Sequence, residues 1–345
     1  MNQTQSKNAG TDTANRTDST CSTSEAYTSC VLCPRRCGVN RNAGKTAFCG
    51  ESAQLKIASA CLHFGEEPPV TGKGGSGTVF VSGCNLGCFF CQNYQISRQG
   101  MGKTVDTEEF VHMCRVLEQA GAENINIVTG SHAVPALAKG IMQAKKEGLG
   151  IPVCWNSSAY ESVSTVDMLA GAADIWLPDL KTAQSALSQA LFGIRDYGKT
   201  AKAAIKRMIE LSPLRFTQFS DKSEKIVSGV IVRHLVLPGC MDNTIAVLDW
   251  LKENADGKAC ISLMSQYTPI RSQKPAGVFP DRFINEEEFL HIKELIDEYE
   301  FEYLFYQELE PDDSWLPDFN RFQPFSNALA KPLWHWKSGF TNEPL

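Results

Sequence analysis

Thr78-Val-Phe-Val-Ser-Gly83 runs straight into Cys84-Asn-Leu-Gly-Cys88-Phe-Phe-Cys91. The first of these segments is short, apolar and ended by glycine, which predicts a buried strand. The second sets three cysteines at C-x3-C-x2-C spacing on one short loop. A closed structural metal site needs four protein ligands, so three soft ligands on a loop leave one coordination position open. A cubane iron–sulfur cluster gripped by three thiolates has that property. The alternative is a zinc ion completed by a distant side chain, although structural zinc usually sits between paired C-x2-C knuckles.

Outward from this loop the pattern alternates between short apolar strands and amphipathic helices. Strands are expected at 78–83, 124–130, 152–158, 174–181, 229–239 and 260–268, with a seventh at 301–309. Asp106-x-x-Glu109 has the form of a capping box, opening a helix that stops near Gly121. Pro135 suits the first turn of the next helix, and others are expected at 199–211, 243–254 and 286–299. Alternation at this pace implies a parallel sheet with right-handed crossovers, and continuous apolar strands imply burial on both faces. The expected class is therefore α/β, a partial (β/α)6 TIM-like barrel preceded by a cysteine-rich module; a doubly wound sheet is the alternative.

Four parts are expected: a disordered polar tail at 1–28, a cysteine-rich metal-binding module at 29–77, the barrel at 78–310, and an irregular extension at 311–345. The chain of 345 residues is 43% apolar with net charge −6, which argues against a nucleic-acid surface or an anionic membrane partner. No apolar run is long enough to span a bilayer, and the polar start lacks a signal-peptide core, so a cytoplasmic location is expected.

Thirteen cysteines in a reducing compartment read as metal ligands or redox groups, not as a disulfide framework. Besides the loop, Cys30-x2-Cys33-x3-Cys37-x11-Cys49 offers a complete four-sulfur set. Such a set has no open position, which points to electron transfer or scaffolding; a second iron–sulfur cluster and zinc remain the alternatives, with structural thiols beside them. Cys114 falls on a predicted apolar helix stripe with Phe110, Met113 and Leu117, while Cys154 and Cys260 lie in predicted strands, so all three read as core.

The loop resembles the signature of the radical S-adenosylmethionine (SAM) enzymes. Over about residues 30–310 the chain is similar to homologues of the pyruvate formate-lyase activating enzymes, in a branch with an extra cysteine group ahead of the SAM motif. The stretches that carry this are Cys33-Pro-Arg-Arg-Cys37-Gly, His63-Phe-Gly-Glu-Glu-Pro68, Asp179-Leu-Lys181 and Arg233-His-Leu-Val-Leu-Pro-Gly239. The resemblance implies a [4Fe–4S] cluster on Cys84, Cys88 and Cys91, with SAM on the fourth iron. It implies reductive cleavage to a 5′-deoxyadenosyl radical, an electron donor such as flavodoxin or ferredoxin, and hydrogen abstraction from a glycyl radical enzyme or another protein substrate. Modification of a small molecule or another macromolecule and a non-catalytic iron–sulfur carrier are the rival readings.

The same resemblance nominates SAM contacts. Phe90 would pack on the adenine, and Asp179 and Lys181 would lie near the ribose or methionine. Arg233 matches the family arginine that precedes an apolar run and Pro-Gly. Thr129-Gly130-Ser-His132 stands where the superfamily often carries a Gly-Gly-Glu-like segment; the glutamate is missing here, leaving backbone and hydroxyl contacts, or His132 in its place. Asn156 and Ser158 end the third strand on one face, placed for ribose hydroxyls or simply for turn capping. Asp179 with Lys181 could equally be a structural ion pair, His132 an exposed residue at a helix start, and Glu66 with Glu67 a loop ion pair. His234 is expected to face the helix layer, opposite to Arg233.

Overall fold

The computed structural model describes residues 23–218, 224–270, 281–309, 313, 316–326 and 328–341. Helix α1 (Thr23–Thr28) opens it, and β1 (Lys56–His63) and α2 (Pro68–Thr71) follow the cysteine-rich stretch. Next come β2 (Ser76–Val81), α3 (Tyr94–Ser97), β3 (Lys103–Thr104), α4 (Thr107–Gln119), β4 (Ile125–Val128), α5 (Val134–Lys146), β5 (Val153–Ser157), α6 (Val163–Asp167) and β6 (Ile175–Pro178). The second half holds α7 (Ser185–Phe192), α8 (Tyr197–Leu211), β7 (Arg215–Gln218), β8 (Glu224–Leu235), α9 (Met241–Asn254), β9 (Cys260–Met264), α10 (Glu286–Tyr299), β10 (Leu304–Tyr306), β11 (Ala330–His335) and β12 (Gly339–Phe340).

Strands β2, β4, β5, β6, β8, β9 and β10 are neighbours in that order, each parallel to the next. Because the spatial order never reverses, every crossover turns the same way and the helices gather on one face. A doubly wound sheet would reverse at a switch point, so that alternative fails. The sheet is open, running from β10 at one edge to β12 at the other. Strands β4 and β6 are buried along their whole length; β6 is apolar throughout, while β4 carries one polar residue, Asn126, whose Nδ2 donates to Glu66 Oε1 at 3.0 Å.

Local signals act as expected in the helices. Asp106 caps α4 by accepting the Glu109 N–H at 2.8 Å, and Phe110, Met113, Cys114 and Leu117 face the core. The full reciprocal capping box is found instead on α10, between Asn285 and Glu288. Cys61, Cys114, Cys154 and Cys260 are fully buried, and no disulfide forms among the described residues.

Three expectations about the ends of the chain need correction. Residues 1–22 of the expected disordered tail lie outside the described residues, but Thr23–Thr28 is helical and Tyr27 is buried. The 29–77 stretch contains β1, which pairs antiparallel with β2, so the sheet continues across the expected boundary. The extension after 311 is not wholly irregular: β11 pairs antiparallel with β1 and buries Trp334. The physical reason is that β1 is apolar on both faces and would otherwise end the sheet on a bare edge.

Candidate functional site

The three-cysteine loop leaves the C-terminal end of β2 through two glycines in left-handed conformation, Gly83 (φ 87°) and Gly87 (φ 79°). Gly83 is required for space as well: a Cβ there would stand 2.5 Å from Glu51 Cγ and 2.8 Å from the Cys49 carbonyl oxygen. The loop is then held from several sides. Cys84 N–H donates to Cys49 O at 3.2 Å, Asn85 Nδ2 donates to Tyr160 O at 2.7 Å, and Arg35 donates to the carbonyls of Asn85 (3.0 Å) and Leu86 (2.7 Å).

Cys84, Cys88 and Cys91 form one wall of a cleft of about 320 Å³. The opposite wall comes from strand ends: Thr129 after β4, Asn156 and Ser158 at β5, Asp179 and Lys181 after β6, and Arg233 in β8. These are C-terminal strand ends, where parallel α/β folds build their sites. Phe90 also lines the cleft, packed at 6.0 Å from the Tyr267 ring. Gln266 does too, whereas Gly130 does not; it lies against Trp155 and Leu137, leaving no room for a side chain. Thr129 holds a left-handed backbone (φ 65°), a strained conformation for a β-branched residue and a mark of functional turns.

Charge in the cleft is arranged in two groups. Lys181 Nζ pairs with Asp179 Oδ2 at 2.6 Å, and both are largely buried. Burial alone would lower the lysine pKa, but Asp179 and then Cys88 outweigh it and hold the ammonium form. Burial pushes the Cys88 and Cys91 thiols up, so without a metal they keep their protons; Lys181 opposes this at Cys88.

Arg233 forms the second group. Its guanidinium donates to both Glu67 oxygens, one of them from Nε at 2.9 Å, and meets Glu66 Oε2 at 2.5 Å. Glu66 is buried, which would raise its pKa, yet Arg233 and His63 bring it down to about 2. So Glu66 and Glu67 form an ion pair, though not an exposed loop pair: they neutralise an arginine inside the protein. His234 faces the other way as expected, buried between Leu180 O (2.7 Å) and Thr244 Oγ1 of α9 (3.1 Å).

The donor set fits an iron–sulfur cluster. Three soft thiols share one wall and a buried ammonium stands beside one of them. Among the described residues no three His, Cys, Asp or Glu side chains are arranged to hold a metal ion. A cubane asks for a wider arrangement than an ion does, since each thiolate binds a different iron.

Two features lay beyond sequence reasoning. Glu161 is fully buried and accepts from Ser131 Oγ (2.8 Å), Trp155 Nε1 (2.8 Å) and Ser157 Oγ (3.0 Å), pinning the turn after β4 to the end of β5. Burial raises its pKa despite these donors. No periodicity or spacing could have paired Glu161 with Ser131. His132 is not the exposed helix-start residue considered above. It is 4% exposed and lines a second, small void formed by Cys30, Cys33, Cys37 and Cys49, not the cleft.

Among the described residues no helix is long and apolar enough to cross a membrane. The chain is 29% identical over 288 residues to the uncharacterized protein MJ0674 of Methanocaldococcus jannaschii, covering 81% of this chain and 77% of that one. It overlays SuiB of Streptococcus suis bound to S-adenosylmethionine with TM-score 0.47 and 16% identity, over 66% of this chain and 48% of SuiB, so it spans less than half of that length. A domain of pyruvate-formate lyase-activating enzyme from Bacteroides vulgatus overlays with TM-score 0.35 and 15% identity, over 50% of this chain and 89% of the domain. The model of the radical SAM superfamily matches residues 78–217, a span that runs from within β2 to within β7 and contains the cysteine loop. The chain thus carries, over residues 78–217, a domain of the radical SAM superfamily.

Proposed function

We propose that this protein is an enzyme that binds SAM at a [4Fe–4S] cluster on Cys84, Cys88 and Cys91 and uses it to abstract hydrogen from a protein partner. The observation that carries the reading is the convergence of those three thiols with Asn156, Ser158, Asp179 and Lys181 on one cleft. When bound, the cluster and SAM supply one-electron cleavage of the sulfonium and a 5′-deoxyadenosyl radical.

The residues of the chain do the rest. Lys181, charged through Asp179, stands near the thiolates and offsets their negative charge. Phe90 offers an aromatic face for the adenine, and Asn156 and Ser158 offer polar groups for ribose hydroxyls. Thr129 contributes its hydroxyl, with Gly130 keeping the turn slim behind it. Arg233 lines the cleft while its charge is met by Glu66 and Glu67. The N-terminal cysteines hold a second metal in this reading, an iron–sulfur cluster or zinc. An external donor of the flavodoxin or ferredoxin class supplies the electron.

The cleft, about 320 Å³ and open to solvent, leaves a bound SAM within reach of a large partner that presents a single residue, such as the glycine of a glycyl radical enzyme; a free small molecule is the rival substrate. Anaerobic incubation of the reconstituted protein with SAM and dithionite tests the chemistry. Release of 5′-deoxyadenosine is expected, and a non-catalytic carrier would release none. A partner labelled with deuterium at glycine should pass deuterium into the 5′-deoxyadenosine; label that stays put would exclude that partner class.

A further inference from the structure

Cys30, Cys33, Cys37 and Cys49 come from turns spread over a stretch without strands, yet all four line one void. The backbone is folded to this end: Cys30 N–H donates to Val39 O at 3.0 Å and Gly38 N–H to Cys30 O at 2.9 Å, closing the first three cysteines into a loop. Arg41 lies against them, 2% exposed, with Nη1 3.8 Å from Cys30 Sγ and its other donors on Ser52 O and His132 O. Among the described residues it forms no ion pair within 4.0 Å; Glu51 pairs with Lys56 at 3.9 Å and also feels the Arg41 charge, and the Tyr27 ring lies 4.4 Å below the guanidinium. A buried guanidinium this sparsely matched favours anionic sulfur beside it, and Cys30 is the side chain it touches. A second observation agrees. His132 lines the same void and its buried Nδ1 has no hydrogen-bond partner.

We propose that these four cysteines hold a second, redox-active iron–sulfur cluster, separate from the cleft, with Arg41 as its buried counter-charge. Four thiolates exceed the charge of such a cluster's core, leaving a net negative centre for the arginine. Zinc suits the space less well. It would draw the four sulfurs to about 2.3 Å from one point, whereas the void they line is wide enough to admit a water-sized sphere among them. No described group is arranged for a metal ion either. The centre would lie directly behind the cleft, since Cys49 O accepts the Cys84 N–H and Arg35 bridges from between Cys33 and Cys37 to the Asn85 and Leu86 carbonyls. The inference rests on the proposed function only in taking the cleft loop as the SAM-binding centre.

The test uses the full chain with Cys84, Cys88 and Cys91 all changed to Ala, reconstituted without oxygen. It should bind about four irons and four sulfides per chain, and give a dithionite-reduced paramagnetic signal that SAM does not alter. One zinc without sulfide, or no metal, overturns the proposal. Should that variant fail to fold, C30S/C37S serves: about four irons should remain of about eight in the unmodified chain, with the SAM-sensitive signal intact. Equal iron in both proteins overturns the proposal, while loss of SAM sensitivity in C30S/C37S would strike the cleft reading instead. R41M should lower the midpoint potential of the SAM-insensitive signal, because removing a cation disfavours the more negative reduced state; an unmoved potential overturns the role of Arg41.

Discussion

The main-chain N–H of Cys84 donates to the carbonyl of Cys49 across 3.2 Å, so the first cysteine of the cleft loop hangs on the last cysteine of the N-terminal group. Two cysteine segments that are well apart in sequence therefore share a backbone contact. Gly83 makes the contact possible, because any side chain there would strike Cys49 O and Glu51.

Gly83→Ala should accordingly harm both segments. The left-handed backbone costs about 1–2 kcal/mol for a residue with a Cβ, and the clash with a carbonyl adds to it. Urea denaturation of the apo-protein should show at least that loss, and iron content should fall in the cleft and in the N-terminal group alike. Iron lost from the cleft alone would mean the two segments are not mechanically linked.

Lys181→Ala leaves Asp179 buried without its partner and takes a cation from beside Cys88. SAM affinity should fall about tenfold to a hundredfold, the worth of one charged hydrogen bond, with iron content kept. Lys181→Arg should recover part of it. A pure structural ion pair would instead lower the unfolding midpoint and leave SAM binding unchanged in equilibrium dialysis.

Arg233→Ala strands two carboxylates inside the protein and should cost about 3–5 kcal/mol. Adding Glu66→Gln and Glu67→Gln should return much of that stability, since the uncompensated charge is gone. Comparing urea midpoints of the single and triple variants measures this. A triple variant no more stable than the single one would show that packing of the guanidinium, and not its charge, matters.

His234 is buried and its pKa is brought down to about 4, chiefly by desolvation. The unfolded chain takes up a proton near the ordinary value of 6.5 while the folded one does not, so stability falls as pH drops from 6.5 toward 4. Between pH 7 and pH 5 this amounts to about 2 kcal/mol. His234→Gln should shrink the pH 7 to pH 5 difference in apo-protein unfolding by that amount; an unchanged difference would place the acid sensitivity elsewhere.

Much of the barrel was legible in the chain because its strands are buried on both faces. A strand such as Ile175–Pro178 is apolar throughout, and polar residues follow it. The polar residues that break this rule at strand ends, Asn156, Asp179, Lys181 and Arg233, stood out for the same reason, and they meet in one cleft. Strand β11 did not stand out. It contains Lys331 and Pro332, and it is a strand only because the apolar edge of β1 accepts it. Glu66 and Glu67 looked like ordinary loop charges until Arg233 was found between them.

What the sequence decided alone was local: the three-cysteine loop, its place after a buried strand, and the alternation that fixes a parallel α/β sheet. Such features repeat over a few residues and answer to backbone geometry and burial. Tertiary structure alone decided which distant groups meet: Cys49 with Cys84, Arg41 with Cys30, Arg233 with two glutamates, Glu161 with Ser131. Those pairings arise because buried charges and polar atoms must find partners wherever the packed chain brings them, and no spacing rule records where that is.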